Sequence, residues 1–190
     1  RRAWIGGVRG DSVGAVSDTP TDAEQLTGRP RDRTDNAIPS GTSLVVELLL
    51  HLSELENDTE HRRRAVFTLE SLSEPMTRYP TAFGHLLGCA DMELNGAIEV
   101  ALVGDIKSAP FKALERAVAE RYVPSLVLAG GLQTADSPVK LLNDRPLLSG
   151  KPTAYVCRAY TCDKPVTKPK ELSAQLESAA KVTSTTTAVT

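Results

Sequence analysis

Residues 35–52 read Asp-Asn-Ala-Ile-Pro-Ser-Gly-Thr-Ser-Leu-Val-Val-Glu-Leu-Leu-Leu-His-Leu, and this stretch decides how the first half of the chain folds. Pro39 biases the residue before it toward extended backbone, so a helix cannot begin upstream of it without cost. Ser40 is a good N-cap residue, because its hydroxyl can accept from the free N–H groups of a first helical turn. Leu44, Val45, Leu48, Leu49 and Leu52 then recur at helical spacing, which predicts a helix with those residues as its buried stripe. Residues 1–39, rich in Gly, Pro, Asp, Arg and Thr, lack such a pattern and read as an extended lead or loop.

Downstream, Asp58 is placed to cap a second helix with Ala65, Val66, Leu69 and Leu72 inward. Pro75 and Pro80 read as punctuation. A third helix is expected from about Thr81, with Phe83, Leu86, Leu87 and Ala90 inward. Residues 40–95 therefore suggest an antiparallel helical stack. After Asn95-Gly96 the period changes. Residues 97–103 (AIEVALV) and 125–129 (SLVLA) are strand-like, and residues 109–121 between them have one apolar face. Strand, helix, strand at this spacing outlines a βαβ unit. Residues 153–158 (TAYVCR) suggest a third strand and 169–181 a last helix. The expectation is an α+β chain whose residues 96–181 form a small α/β segment with a mostly parallel short sheet. The Ser/Thr-rich tail, 182–190, has no face to bury and reads as disordered.

The chain has 190 residues, 41% hydrophobic and 24% charged, with a formal net charge of -2. That balance gives no electrostatic case for nucleic acid. Arg62, Arg63 and Arg64 lie beside Glu56, Asp58 and Glu60, the mixed pattern of a solvated helix face. No apolar run approaches a membrane span, and Leu44–Leu50 is interrupted by Glu47. The N-terminus lacks the apolar core of a secretory signal. Three cysteines make no disulfide framework, so a cytoplasmic location is expected. A start at Arg1 rather than Met suggests a fragment or processed product.

Among candidates for chemistry, Asp35, Asn36 and Ser40 come first. A carboxylate, an amide and a hydroxyl precede a helix N-terminus, where unpaired N–H groups and the dipole favour a polar ligand. The same residue types serve any turn or N-cap. Asp35 is the one candidate for acid–base work; glycoside chemistry needs a second carboxylate, and Glu47 on the following helix can be buried or exposed. His51, His61 and His85 show no metal-ligand spacing. Gly104-Asp105 lacks both nucleotide-binding glycine patterns. Cys157 and Cys162 have the wrong spacing for a CxxC redox pair or a zinc knuckle, and a buried thiol beside a partly exposed one is expected. Neither a metal nor a cofactor is expected.

Two stretches carry a resemblance: DTPTDAEQLTGRPRDRTDNAIPSGTS, residues 18–43, and PLLSGKPTAYVCRAYTCDKPVT, residues 146–167. They resemble the C-terminal part of the thioredoxin-domain-containing proteins of the spermatogenesis-associated type, over roughly Asp18 to Leu172. Such proteins join a thioredoxin-like domain to an (α/α)6 toroid similar to N-acylglucosamine 2-epimerases and six-hairpin glycosidases. The resemblance implies that residues 40–95 are the last toroid helices. It also implies that Asp35, Asn36, Pro39, Ser40 and Gly41 match a DNA-x-PSG stretch facing the central cavity. Thr42 departs from the Asn usual there, and upstream of Asp18 the likeness fails. In the intact parent, a small polar or sugar ligand, bound or isomerised, is implied. The alternative is an inactive remnant or an interaction module, whose apolar helix faces need a partner or stay exposed.

Overall fold

The computed structural model describes residues 33–132, 137–158 and 161–185, with no side-chain description beyond Lys181. Most of the lead expected over 1–39, and the end of the tail expected over 182–190, lie outside the described residues. The chain forms two compact units, one holding residues up to Ser53 together with Asp58–Glu93, the other Glu54–Asn57 and the chain from Leu94 on.

The first unit is helical. Helix α1, Gly41–Glu56, begins where Ser40 caps it: the Ser43 N–H donates to the Ser40 hydroxyl at 3.1 Å. Its buried face differs from the sequence expectation. Thr42, Ser43, Val46, Leu50 and Ser53 point inward, while Leu44 and Leu48 are 47% and 52% exposed. Helix α2, Thr59–Ser71, is capped by Asp58, which accepts from the Glu60 N–H at 2.8 Å. Ala65, Thr68 and Leu69 are buried on it, with Leu72 just beyond its end. Its basic face is paired as mixed charge predicts: Arg62 reaches Glu93, and Arg63 and Arg64 share Glu60. These exposed pairs contribute little stability each.

Pro75 does not break the chain. It sits in the first turn of a short helix, α3 (Ser73–Arg78), where the missing N–H has no intrahelical acceptor to lose. A 3-10 turn at Pro80–Ala82 follows, and α4 starts at Gly84 and runs to Asn95, later than the expected Thr81. Phe83, Leu86, Cys89 and Met92 are buried; Leu87, expected inward, is 37% exposed.

The second unit is a four-stranded sheet with two long helices: β1 (Ile98–Val103), α5 (Ala109–Ala119), β2 (Leu126–Gly131), β3 (Thr153–Arg158), β4 (Thr161–Cys162) and α6 (Pro169–Thr185). Strand order is β2-β1-β3-β4. Only β1 and β2 run parallel; β1–β3 and β3–β4 are antiparallel, which corrects the mostly parallel sheet expected from sequence. The cause is the connections. A parallel pair needs a crossover element, and α5 supplies it between β1 and β2. Between β2 and β3 the described residues hold only a 3-10 turn, Lys140–Leu142, and β3 enters on the free edge of β1 in the opposite direction. Ile98, Val100 and Leu102 of β1 and Ala154 and Val156 of β3 pack with Phe111, Leu114, Leu172 and Leu176 into one core. Alternation sends Glu99, Ala101, Val103, Tyr155 and Cys157 to the other face.

Gly104 closes β1 at φ 153°, and a Cβ there would stand 2.9 Å from the Pro152 Cβ. The glycine thus serves a close chain crossing. Gly104→Ala is expected to destabilise the protein by about 1–3 kcal/mol, from overpacking and backbone strain together. Chemical denaturation with an unchanged m-value checks it.

Candidate functional site

The three residues singled out before α1 have different fates. Asp35 is buried, at 8% exposure, and Ser40 at 2%, whereas Asn36 is exposed. The Asp35 carboxylate is an acceptor for four donors. Its Oδ1 takes the Ser40 N–H at 2.9 Å and the Ser43 hydroxyl at 2.7 Å. Its Oδ2 takes the backbone N–H groups of His85 and Leu86, at 2.9 and 3.1 Å. The Asp35 N–H donates to the Ala82 carbonyl at 2.8 Å, fixing the loop itself. One side chain therefore satisfies first-turn donors of both α1 and α4.

This geometry sets the acidity. Burial pushes the Asp35 carboxyl up, but the hydrogen bonds from Ser40, Ser43, Leu86 and His85 outweigh it and hold the group below its ordinary value. A carboxylate so held keeps its charge and gives up no proton near neutral pH. Beside it, the Glu47 Oε2 lies 3.1 Å from the His85 Nε2, with both side chains partly exposed. Sequence reading left Glu47 undecided and treated His85 as scattered; the pair forms because α1 and α4 start at the same carboxylate. The buried Cys89 thiol is pushed up to about 12, by burial first and then by the charges of Glu47 and Asp35. It is inert as a nucleophile.

A second cluster lies in the other unit, on the sheet face away from the main core. Glu99 on β1 stands opposite Cys157 on β3. Its carboxyl is raised to about 7, by burial first, then by the hydrogen bond and charge of Glu54. The Arg145 guanidinium opposes the shift and stacks 5.9 Å from the Tyr155 ring centre. Arg145 also donates to the Cys157 sulfur at 3.5 Å. Cys157 and Cys162 are joined in a disulfide, which overturns the expectation of free thiols. The reason is register: the β3–β4 hairpin sets the two residues directly opposite each other. Arg145, Tyr155 and Cys162 border an open cleft of about 790 Å³, with Glu56, Lys140 and Asp144 also on its walls. Sequence reading missed Glu99; the signal that could have found it is the lone charge in the apolar stretch 97–103 (AIEVALV).

Gly104-Asp105, noted for a nucleotide-like turn, is local structure: the Asp105 Oδ1 accepts from the Lys107 N–H at 3.0 Å. Among the described residues, no helix is long and apolar enough to cross a membrane.

Comparison with known proteins supports the likeness to spermatogenesis-associated proteins drawn from sequence. Over 161 residues, 80% of this chain and 20% of the relative, the chain is 30% identical to Spermatogenesis-associated protein 20 of Homo sapiens. It is 29% identical over 150 residues to the Rattus norvegicus protein of the same name, covering 76% of this chain and 19% of the relative. An uncharacterized Caenorhabditis elegans protein is 25% identical over 150 residues, 78% of this chain and 21% of its own length. The chain spans about a fifth of the length of the curated relatives it matches. No family model matches it, and no solved structure does.

Asp35→Asn replaces an acceptor by an amide that must turn one N–H toward these donors. The expected cost is about 2–4 kcal/mol, read as a loss in thermal midpoint of roughly 2–4 °C per kcal/mol. Because the folded carboxyl lies below its ordinary value of 3.8, its contribution is present above that pH and fades as pH falls through the folded value. The variant should therefore lose less stability on acidification than the parent. Glu99 carries the opposite sign. Its folded value of about 7 exceeds the ordinary value of 4.5, so stability falls as pH rises between them. Glu99→Gln should raise the melting temperature at pH ~8 relative to the parent by more than at pH ~5.

Proposed function

We propose that this chain works as the C-terminal segment of a larger protein and serves there as a structural and interaction module. The observation that carries this reading is an apolar stripe of α1 that stays exposed among the described residues. Leu44 and Leu48, one turn apart on α1, stand about half in water, and Ile38 just before the helix is 76% exposed. Large apolar groups at helical spacing on an exposed face mark a surface meant to be covered. The relatives offer the occupant, since each is about five times as long as the matched stretch. The partner is then apolar helices from the preceding part of the same polypeptide, in line with the toroid and thioredoxin-like domain that the sequence resemblance implies. The Asp35 carboxylate, with both oxygens doubly engaged, favours a structural role over acid–base work.

A second reading keeps a small polar or sugar ligand in the intact parent. The half-exposed Glu47–His85 pair favours it, with exposed Asn36 beside the bracket and Asp35 and Ser40 holding the loop from behind. Titrating the longer protein with monosaccharides, against Glu47→Gln, tests it; equal binding by both proteins removes the pair from any such site.

For the first reading, the 190-residue chain alone is expected to bind a dye for apolar surface and to self-associate. The double variant Leu44→Glu, Leu48→Glu should lose both properties while keeping its helical signal. Its stability should stay within about 0.5 kcal/mol per exposed site. A dispersed monomer that binds no dye, unchanged by the double variant, would sink the module reading.

A further inference from the structure

The Cys157–Cys162 bond differs sharply at its two ends. Cys157 is 2% exposed in the middle of the sheet. Cys162 is exposed, sits on a two-residue edge strand and borders the open cleft. An incoming nucleophile therefore reaches one sulfur only, and the other is the leaving group. The leaving sulfur is already served: the Arg145 guanidinium donates to it at 3.5 Å. A cation at that distance stabilises a departing thiolate.

The cleft walls indicate what approaches. Lys140 and Arg145 offer positive charge, and Asp144 and Asp163 negative charge. Arg145 Nε and Asn143 Oδ1 are buried with no hydrogen-bond partner among the described residues, and both residues border the cleft. A cleft lined by both signs of charge suits a small molecule carrying both a carboxylate and an ammonium group. We propose that the Cys157–Cys162 bond is a thiol–disulfide exchange site that reacts, through this cleft, with low-molecular-weight amino-acid-type thiols.

The chemistry closes on named groups. The thiolate of the small molecule attacks the Cys162 sulfur; a new S–S bond forms there and the Cys157–Cys162 bond breaks. The electron pair stays on the Cys157 sulfur as a thiolate beside Arg145. The carboxyl of Glu99, directly across the strand pair, is raised to about 7, and its protonated form supplies a proton to that thiolate and then regains one from solvent. A second thiolate attacks the mixed disulfide and frees the Cys162 thiolate, which takes a proton from water. Two small thiols are oxidised to their disulfide and the protein pair is reduced to two thiols. The reverse sequence oxidises the pair again.

The test uses the full 190-residue chain, with glutathione as probe and peptide mapping by mass spectrometry under native conditions. Reduced glutathione should open the bond without denaturant. Oxidised glutathione should label Cys162 in Cys157→Ser and leave Cys157 unlabelled in Cys162→Ser. Arg145→Gln should slow opening by about tenfold, and Arg145→Lys should restore most of the rate. Circular dichroism confirms that each variant is folded. A bond that opens only in denaturant, equal labelling of the two single-cysteine variants, or equal rates for Arg145→Gln and Arg145→Lys would overturn the proposal.

Discussion

Four donors converge on the Asp35 carboxylate, and the arrangement of the helical unit follows from where they come from. Two belong to the start of α1 and two to the start of α4. Each helix N-terminus carries a partial positive charge and unpaired N–H groups, so a single anion between them meets a need of both. Burying that anion is costly alone, and the four hydrogen bonds offset the cost. The bracket also fixes the rotation of α1. Because the Ser43 hydroxyl must face Asp35, Val46, Leu50 and Ser53 follow on the same side at helical spacing and are buried. Leu44 and Leu48 are turned outward as a result.

That consequence explains where sequence reading worked and where it did not. The existence and start of α1 were legible, because Pro39 and Ser40 carry a local mechanism. Its buried face was not. A helix with Leu or Val at seven of the nine positions from Leu44 to Leu52 has no unique apolar stripe. The decision passed to a polar contact between residues eight apart, and to partners in α4 fifty residues away. The same holds for the Glu47–His85 pair. Its members come together only because both helices start at Asp35.

In the sheet unit, β1, α5, β2, β3 and α6 were legible from hydrophobic period alone, since each has a face or a run that only one element type can bury. Strand direction was not, because it depends on what connects the strands. β4 was missed: a two-residue edge strand has no periodicity to read. Its importance is out of proportion to its length, since it brings Cys162 opposite Cys157. Glu99 was missed, although it is a lone charge inside an apolar strand. Its partners, Glu54, Arg145 and the disulfide, come from three other places in the chain and could not be listed beforehand. In both units the informative residue is a carboxylate removed from water. One is held ionised by converging donors, the other is pushed toward its protonated form by burial and a like charge.

The claim that Asp35 organises the helical unit is tested most directly by native-state hydrogen exchange at the backbone amides of Ser40, His85 and Leu86. These N–H groups have no helical acceptor of their own, so without the carboxylate they would exchange like any frayed helix end. Protection factors at Ser40, His85 and Leu86 should approach those of the buried helical amides of Val46 and Leu50. Exchange of all three at the rate of an open loop, with Val46 and Leu50 still protected, would contradict it.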